Sequence, residues 1–116
     1  MGILNAIRRL LRPSQSSSLV GCWHLVRTQG PSGLEEGAEI DILEDGRMSY
    51  AIPSNDKWQI MKLTYRVNGD MLITDQGSSP REERTRFVFE GTDTLVLDYG
   101  DTRSWFRRGP KRAPAV

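Results

Sequence analysis

The 116-residue chain is poor in the residues that most often carry cross-links, metals and nucleophilic catalysis. It has a single cysteine, Cys22, and a single histidine, His24. One cysteine excludes an internal disulfide and fits a reducing compartment, so we expect a cytoplasmic protein. No apolar run approaches the length of a membrane span, and no apolar segment with a cleavage site follows the basic N-terminus.

The chain also lacks a strong net charge, which is +1. Nine of the 16 basic residues nevertheless lie in residues 1–34 and 103–116, which contain no acidic residue. Such ends are usually solvated or neutralise the acidic middle of their own fold, although they can mark contact with a polyanion. Trp105 and Phe106 could stack on nucleic-acid bases, but they lie in a strand that should be partly buried. We therefore expect no nucleic-acid partner.

Residues 1–18 are predicted to form an amphipathic helix followed by a polar linker. Ile3, Ile7, Leu10 and Leu11 share one helical face, and Pro13 ends the pattern. A helix of about ten residues is marginal alone. We expect it to dock on the domain's own end or on a second copy, and contact with a membrane surface is the alternative.

Residues 19–108 predict eight short strands with no helix between them. Asp45-Gly46 and Asn68-Gly69 are strong hairpin signals, and Gly91 marks another tight turn. This pattern indicates an antiparallel up-and-down meander that closes into a small all-β barrel. The tight turns fall at one end and the looser loops at the other, where a cavity would open. Residues 109–116 are predicted to be a disordered basic tail.

The motifs at the two ends of this region resemble those of the lipocalin superfamily. Gly21-Cys22-Trp23 is similar to the G-x-W motif, and the Phe106-to-Arg108 stretch is similar to the F-x-R ending. The Asp45-Gly46-Arg47-Met48-Ser49 hairpin resembles that of small bacterial lipocalin-like domains. The resemblance implies that Gly21, Trp23, Phe106 and Arg108 close the barrel. It also implies that the guanidinium of Arg108 packs on the Trp23 ring, a contact worth about 0.5–2 kcal/mol.

Inward-facing aromatic and polar side chains define the candidate ligand site. Arg27 alternates in phase with Trp23 and Leu25, which predicts that it points inward near the looser end. The alternation of the fourth strand changes phase between Ile60 and Met61, which predicts a bulge or a sharp bend there. The predicted ligand-binding residues are Arg27, Tyr50, Trp58, Thr85, Phe87 and Tyr99.

These residues favour non-enzymatic binding of a small hydrophobic or amphipathic molecule, with no cofactor. The alternative is a barrel filled by its own side chains, which would act as a structural or interaction domain through its N-terminal helix or basic tail and bind no ligand. Oligomeric state is left open.

Cys22 and His24 share a strand face, but residues two apart stand about 6.6 Å apart along a strand. An activated nucleophile must lie within hydrogen-bond reach of its base. A lone histidine is also a poor indication of a metal site. We therefore expect neither catalysis nor metal binding here.

Overall fold

The computed structural model describes residues 18–31, 36–77 and 81–114, and the predicted N-terminal helix lies outside these residues apart from Ser18. Eight antiparallel strands, each paired with the next in the chain, form a closed barrel in which the last strand pairs with the first. They are β1 (Gly21–Gln29), β2 (Glu39–Ile42), β3 (Arg47–Ser54), β4 (Lys57–Asn68), β5 (Met71–Asp75), β6 (Glu83–Glu90), β7 (Thr94–Asp98) and β8 (Arg103–Arg108). The predicted all-β fold, a small eight-stranded antiparallel up-and-down barrel, is confirmed.

Tight turns gather at one end of the barrel, which we call the closed end. The β2–β3 and β4–β5 turns contain Gly46 at φ 92° and Gly69 at φ 62°, a conformation that glycine adopts without steric cost. The β6–β7 turn lies at the same end. The opposite end, which we call the open end, carries the longer β1–β2 and β5–β6 connections and the tip of the β3–β4 hairpin.

Apolar side chains fill the interior of the barrel, beginning at the closed end. Ten buried residues form the core: Leu19, Trp23, Ile40, Ile42, Met48, Leu72, Phe87, Leu95, Leu97 and Phe106. Leu19 precedes β1 and is fully buried, so the chain entering the barrel contributes to this core. Each large apolar side chain buried in this way stabilises the fold by about 1.5–3 kcal/mol.

The β3–β4 hairpin pairs without interruption from Arg47 opposite Thr64 to Ser54 opposite Lys57. The predicted bulge at Ile60 and Met61 is therefore wrong. Because Leu63 packs against the core and the pairing has no register shift, Trp58 and Ile60 lie on the outer face of the sheet.

A register shift does occur in β1, between Leu25 and Arg27 in the pairing with β8. Leu25 lies opposite the core residue Phe106, whereas Arg27 lies opposite Trp105 on the outer face. The extra residue, Val26, reverses the alternation of the strand.

The C-terminal residues 109–114 follow the outer face of β1 and β2, although they were predicted to be disordered. The Gly109 amide donates to the Cys22 carbonyl at 3.1 Å, and the Lys111 ammonium contacts Asp41 at 3.0 Å. Ala113 is buried. The physical reason for the difference is that this segment satisfies a buried carboxylate, Glu39, through its backbone amides.

Candidate functional site

The closed end is held by one arginine. The Cζ of Arg108 lies 4.1 Å from the centroid of the Trp23 ring. Its guanidinium donates to the carbonyls of Val20 at 3.0 Å and Thr92 at 3.3 Å, and also to that of Ser18. The Trp23 indole in turn donates to the Leu19 carbonyl at 2.8 Å. Arg108 thus joins the segment before β1, the β6–β7 turn and β8.

Gly21 is the position where this end leaves no room for a side chain. Its φ is +139°, and a Cβ there would stand 2.9 Å from Nη1 of Arg108. Such a backbone conformation is accessible essentially only to glycine. Phe106, the fourth predicted closing residue, is fully buried in the core opposite Leu25 and Leu95.

Phe87 lies in the packed core and not against open space. It is 3% exposed, and its ring meets Phe89 edge to face with centroids 5.8 Å apart. Phe89 in turn packs against Trp23, with centroids 6.1 Å apart. The closed half of the barrel is therefore occupied by aromatic side chains, and a ligand would have to lie nearer the open end.

Two tyrosines meet across the open end. Tyr50 is on β3 and Tyr99 directly follows β7, on the opposite wall of the barrel, and their hydroxyl oxygens lie 3.5 Å apart. Burial raises the pKa of Tyr50 well above its usual value of 10.0, and the Tyr99 hydroxyl and the charge of Glu83 add to this shift. Burial also raises the pKa of Tyr99. Both hydroxyls are neutral at physiological pH and available for hydrogen bonding.

Further side chains lie on the inner face of the barrel. Thr85 is buried on the inner face, where it pairs with the core residue Leu72. Ser104 is fully buried opposite Leu97, and its hydroxyl lies 3.3 Å from that of Thr28. Met61 lies opposite Tyr50 on the same face.

Thr28, Met61 and Ser104 were not predicted as site residues. The inward position of Ser104 could have been read from the sequence, because it stands two residues before Phe106 and therefore shares its face. The same holds for Met61, two residues before Leu63, but the supposed bulge obscured it. The position of Thr28 could not have been read in this way, because only the register shift in β1 turns it inward.

The structure places two predicted ligand-binding residues outside the barrel. Arg27 is exposed, and its Cζ lies 3.9 Å from the centroid of the Trp105 ring on the outer face. Trp58 is half-buried on the outer face of the β3–β4 hairpin, opposite Pro53. Of the six predicted residues, Tyr50 and Tyr99 meet at the open end, Thr85 is buried on the inner face, Phe87 is in the core, and the other two face away from the interior.

A second group of reactive side chains lies on the outer face. The sulfur of Cys22 is 3.8 Å from Nε2 of His24 and 3.9 Å from Oε2 of Glu39. The sequence-based expectation that the thiol and imidazole would be out of reach is corrected, because the side chains lean together over the strand. We call these three residues the outer cluster.

The outer cluster does not hold an activated nucleophile. Burial, followed by the charges of Glu39 and Asp41, raises the pKa of the Cys22 thiol to about 11. A thiol with that pKa is protonated near neutral pH, whereas nucleophilic catalysis requires the thiolate.

The closed barrel of eight antiparallel strands, each paired with the next in the chain, is a lipocalin-like fold. Solved structures with this fold include a lipocalin-like protein from Bacteroides uniformis, with a TM-score of 0.66 and 18% sequence identity over 79% of this chain and 99% of that chain. An uncharacterized protein from Bacteroides eggerthii has a TM-score of 0.62 and 14% identity over 78% of this chain and 98% of that chain. At these identities the similarity concerns the fold alone.

No protein-family profile and no curated protein sequence matches this chain. Among the described residues there is no helix with the length and apolar character needed to cross a membrane.

Proposed function

We propose that the protein binds a small molecule with an apolar body and one polar group at the open end of the barrel, without catalysing a reaction. The observation that carries this proposal is the meeting of the Tyr50 and Tyr99 hydroxyls across the opening. Two neutral hydroxyls above an apolar interior match the usual composition of small-molecule sites, in which a few polar groups orient a ligand held mainly by apolar contact.

The packed core limits the size of this ligand. Phe87 and Phe89 fill the interior between Thr85 and the closed end, so the ligand's apolar body would lie between Thr85 and the tyrosine pair. The negative charge of Glu83 acts on both tyrosines. It disfavours an anionic ligand, so we propose a neutral or cationic polar group.

The second candidate is a barrel that binds no ligand and acts as an interaction domain. The observation that favours it is the completeness of the core, whose ten members are at most 3% exposed. In either case we keep the sequence-based proposal of a cytoplasmic protein, which rests on the single cysteine.

A variant that fills the proposed site separates the two candidates. Thr85→Phe places a ring on the inner wall, whereas Val88→Phe places the same ring on the outer face of the same strand, where Val88 is 56% exposed. The probe is Nile red, a neutral apolar fluorophore, titrated into each protein while its fluorescence is followed.

We expect wild type and Val88→Phe to bind the probe equally and Thr85→Phe to bind it at least tenfold more weakly. Equal binding by Thr85→Phe and wild type would contradict the proposal. Thermal unfolding of all three proteins verifies that Thr85→Phe is folded. A folded wild type that does not bind the probe would favour the second candidate.

A further inference from the structure

The only cysteine and the only histidine of the chain meet a buried glutamate in the outer cluster. The Cys22 sulfur, one ring nitrogen of His24 and a carboxylate oxygen of Glu39 all lie within 4.8 Å of one another. Glu39 is 2% exposed, while the His24 side chain is 19% exposed. Glu39 is therefore shielded from solvent, whereas His24 remains partly accessible to it.

The hydrogen bonding of His24 leaves one nitrogen facing the carboxylate. Nε2 lies 2.6 Å from the Pro110 carbonyl oxygen. A carbonyl can only accept, so Nε2 carries the hydrogen and the lone pair of the neutral ring is on Nδ1. Nδ1 lies 3.6 Å from Oε1 of Glu39, which is too long for a bridging proton in a normal hydrogen bond. The Nδ1 lone pair of the neutral ring and the Glu39 carboxylate therefore face the same space, which a cation can occupy.

The three groups lie close enough together to be drawn onto one metal ion. Two ligands of a tetrahedral zinc ion, with bonds of about 2.0–2.3 Å, stand about 3.3–3.6 Å apart. Nδ1 of His24 lies 3.6 Å from Oε1 of Glu39, and the Cys22 sulfur lies 3.9 Å from Oε2. Side-chain rotations would bring the sulfur, one ring nitrogen and one carboxylate oxygen, which lie within 4.8 Å of one another, to coordination distance.

The C-terminal segment orients the Glu39 carboxylate and leaves lone pairs on it that can bind a metal. The Arg112 amide donates to Oε1 of Glu39 at 2.9 Å and the Ala113 amide donates to Oε2 at 3.2 Å. Each carboxylate oxygen has two lone pairs, so one on each oxygen remains free. Amide bonds to a carboxylate, and a carbonyl that accepts from the second imidazole nitrogen, are the outer contacts that position metal ligands.

The local charge balance also suits a cation. Glu39 and Asp41 lie on the outer face of β2, where Lys111 neutralises only Asp41, at 3.0 Å. Arg107, opposite His24 in the β1–β8 pairing, is exposed to solvent. Among the described residues, His24 is the only basic side chain within ion-pair distance of the Glu39 carboxylate.

We propose that Cys22, His24 and Glu39 bind a zinc-class divalent cation, with a fourth position open to water. Thiolate, imidazole and carboxylate are the ligands that zinc takes in proteins, and three protein ligands with an open position are typical of accessible zinc sites. The ion takes the place of the thiol hydrogen, which leaves to solvent as a proton. This site is independent of the open end of the barrel.

The test is titration of untagged, chelator-treated protein with Co²⁺, followed by displacement with Zn²⁺. Because the chain has one cysteine, a thiolate-to-cobalt charge-transfer band can come only from Cys22. We expect this band to saturate at one Co²⁺ per chain and to disappear when one equivalent of Zn²⁺ is added. The band should be absent in Cys22→Ser.

Variants of similar size locate the other two ligands, and the control Glu44→Gln makes the same charge change as Glu39→Gln. We expect His24→Gln and Glu39→Gln to weaken Co²⁺ binding at least tenfold, and the exposed control Glu44→Gln to leave it unchanged. Circular dichroism verifies that each variant is folded. A wild type without the stoichiometric band, or one whose band persists in Cys22→Ser, would overturn the proposal. Thr85→Phe should leave the band unchanged, so failure of this site and failure of the open-end site are distinguishable.

Discussion

At the scale of single residues, Arg108 shows how one side chain can hold a barrel closed. Its planar guanidinium stacks on Trp23 and donates to backbone carbonyls of three separate segments. A lysine ammonium cannot reproduce this fork of donors together with the stacking. The closing role is thus tied to arginine and not merely to positive charge.

We predict that Arg108→Lys lowers the free energy of unfolding by about 1–2 kcal/mol, through lost cation–π stacking and lost charged hydrogen bonds. Arg107→Lys is the matched control, because Arg107 is also exposed but lies opposite His24 on the outer face. Urea denaturation of both variants measures the difference. Equal stabilities would contradict the assigned role of Arg108.

Tyr50 gives the barrel a sensitivity to alkaline pH. Its pKa in the folded state is raised by burial, whereas in the unfolded chain it ionises near pH 10.0. Its contribution to stability is therefore complete below pH 10 and is lost as the pH rises through the folded-state value. We expect the free energy of unfolding to fall above pH 10, and Tyr50→Phe to reduce that fall.

Tyr65 provides the comparison for this prediction. Its pKa is also raised, first by burial, but less than that of Tyr50. Chemical denaturation between pH 8 and pH 11 should show a smaller effect for Tyr65→Phe than for Tyr50→Phe. The reverse order would contradict the buried, neutral state assigned to Tyr50.

At the scale of elements, the C-terminal segment is attached mainly through its backbone. Without the amides of Arg112 and Ala113, the buried carboxylate of Glu39 would lose both of its backbone hydrogen bonds. Leaving such a group unsatisfied is costly, which explains why the segment lies on the sheet despite its basic, proline-containing sequence. The acceptor, a buried glutamate on an outer strand face, could not be identified from the tail itself.

Two substitutions at one position test this attachment. Arg112→Pro removes the amide hydrogen, whereas Arg112→Ala keeps it and removes only the exposed side chain. We predict that the proline variant is about 1–2 kcal/mol less stable than the alanine variant. Thermal unfolding provides the measurement, and equal stability of the two would show that the amide bond to Glu39 contributes little.

The element scale also shows where sequence patterns lose information. In β6, where polar and apolar residues alternate cleanly, Thr85 and Phe87 were predicted on the correct inner face. In β1 a single extra residue at Val26 reversed the phase, so Arg27 was assigned to the wrong face. In β4 both faces carry apolar side chains, so Trp58 and Ile60 could not be distinguished from interior residues by hydrophobicity.

At the scale of the whole molecule, topology was the most predictable property. The turn residues Gly46, Gly69 and Gly91 indicated where the hairpins lie. A series of antiparallel hairpins leaves unpaired backbone groups on its first and last strands, and closure into a barrel pairs them with each other. The open-end site was only half predictable, because it depends on which side chains meet across the barrel. The contact between Tyr50 and Tyr99 joins residues 49 positions apart, and no local pattern reports it.

The most direct test of the proposed binding function is native mass spectrometry of the untagged protein, purified gently from its own host and treated with a chelator. The account predicts an added mass of one organic molecule that remains after chelation and disappears on denaturation. A native mass equal to that of the bare chain, in a protein that also fails to bind Nile red, would contradict it.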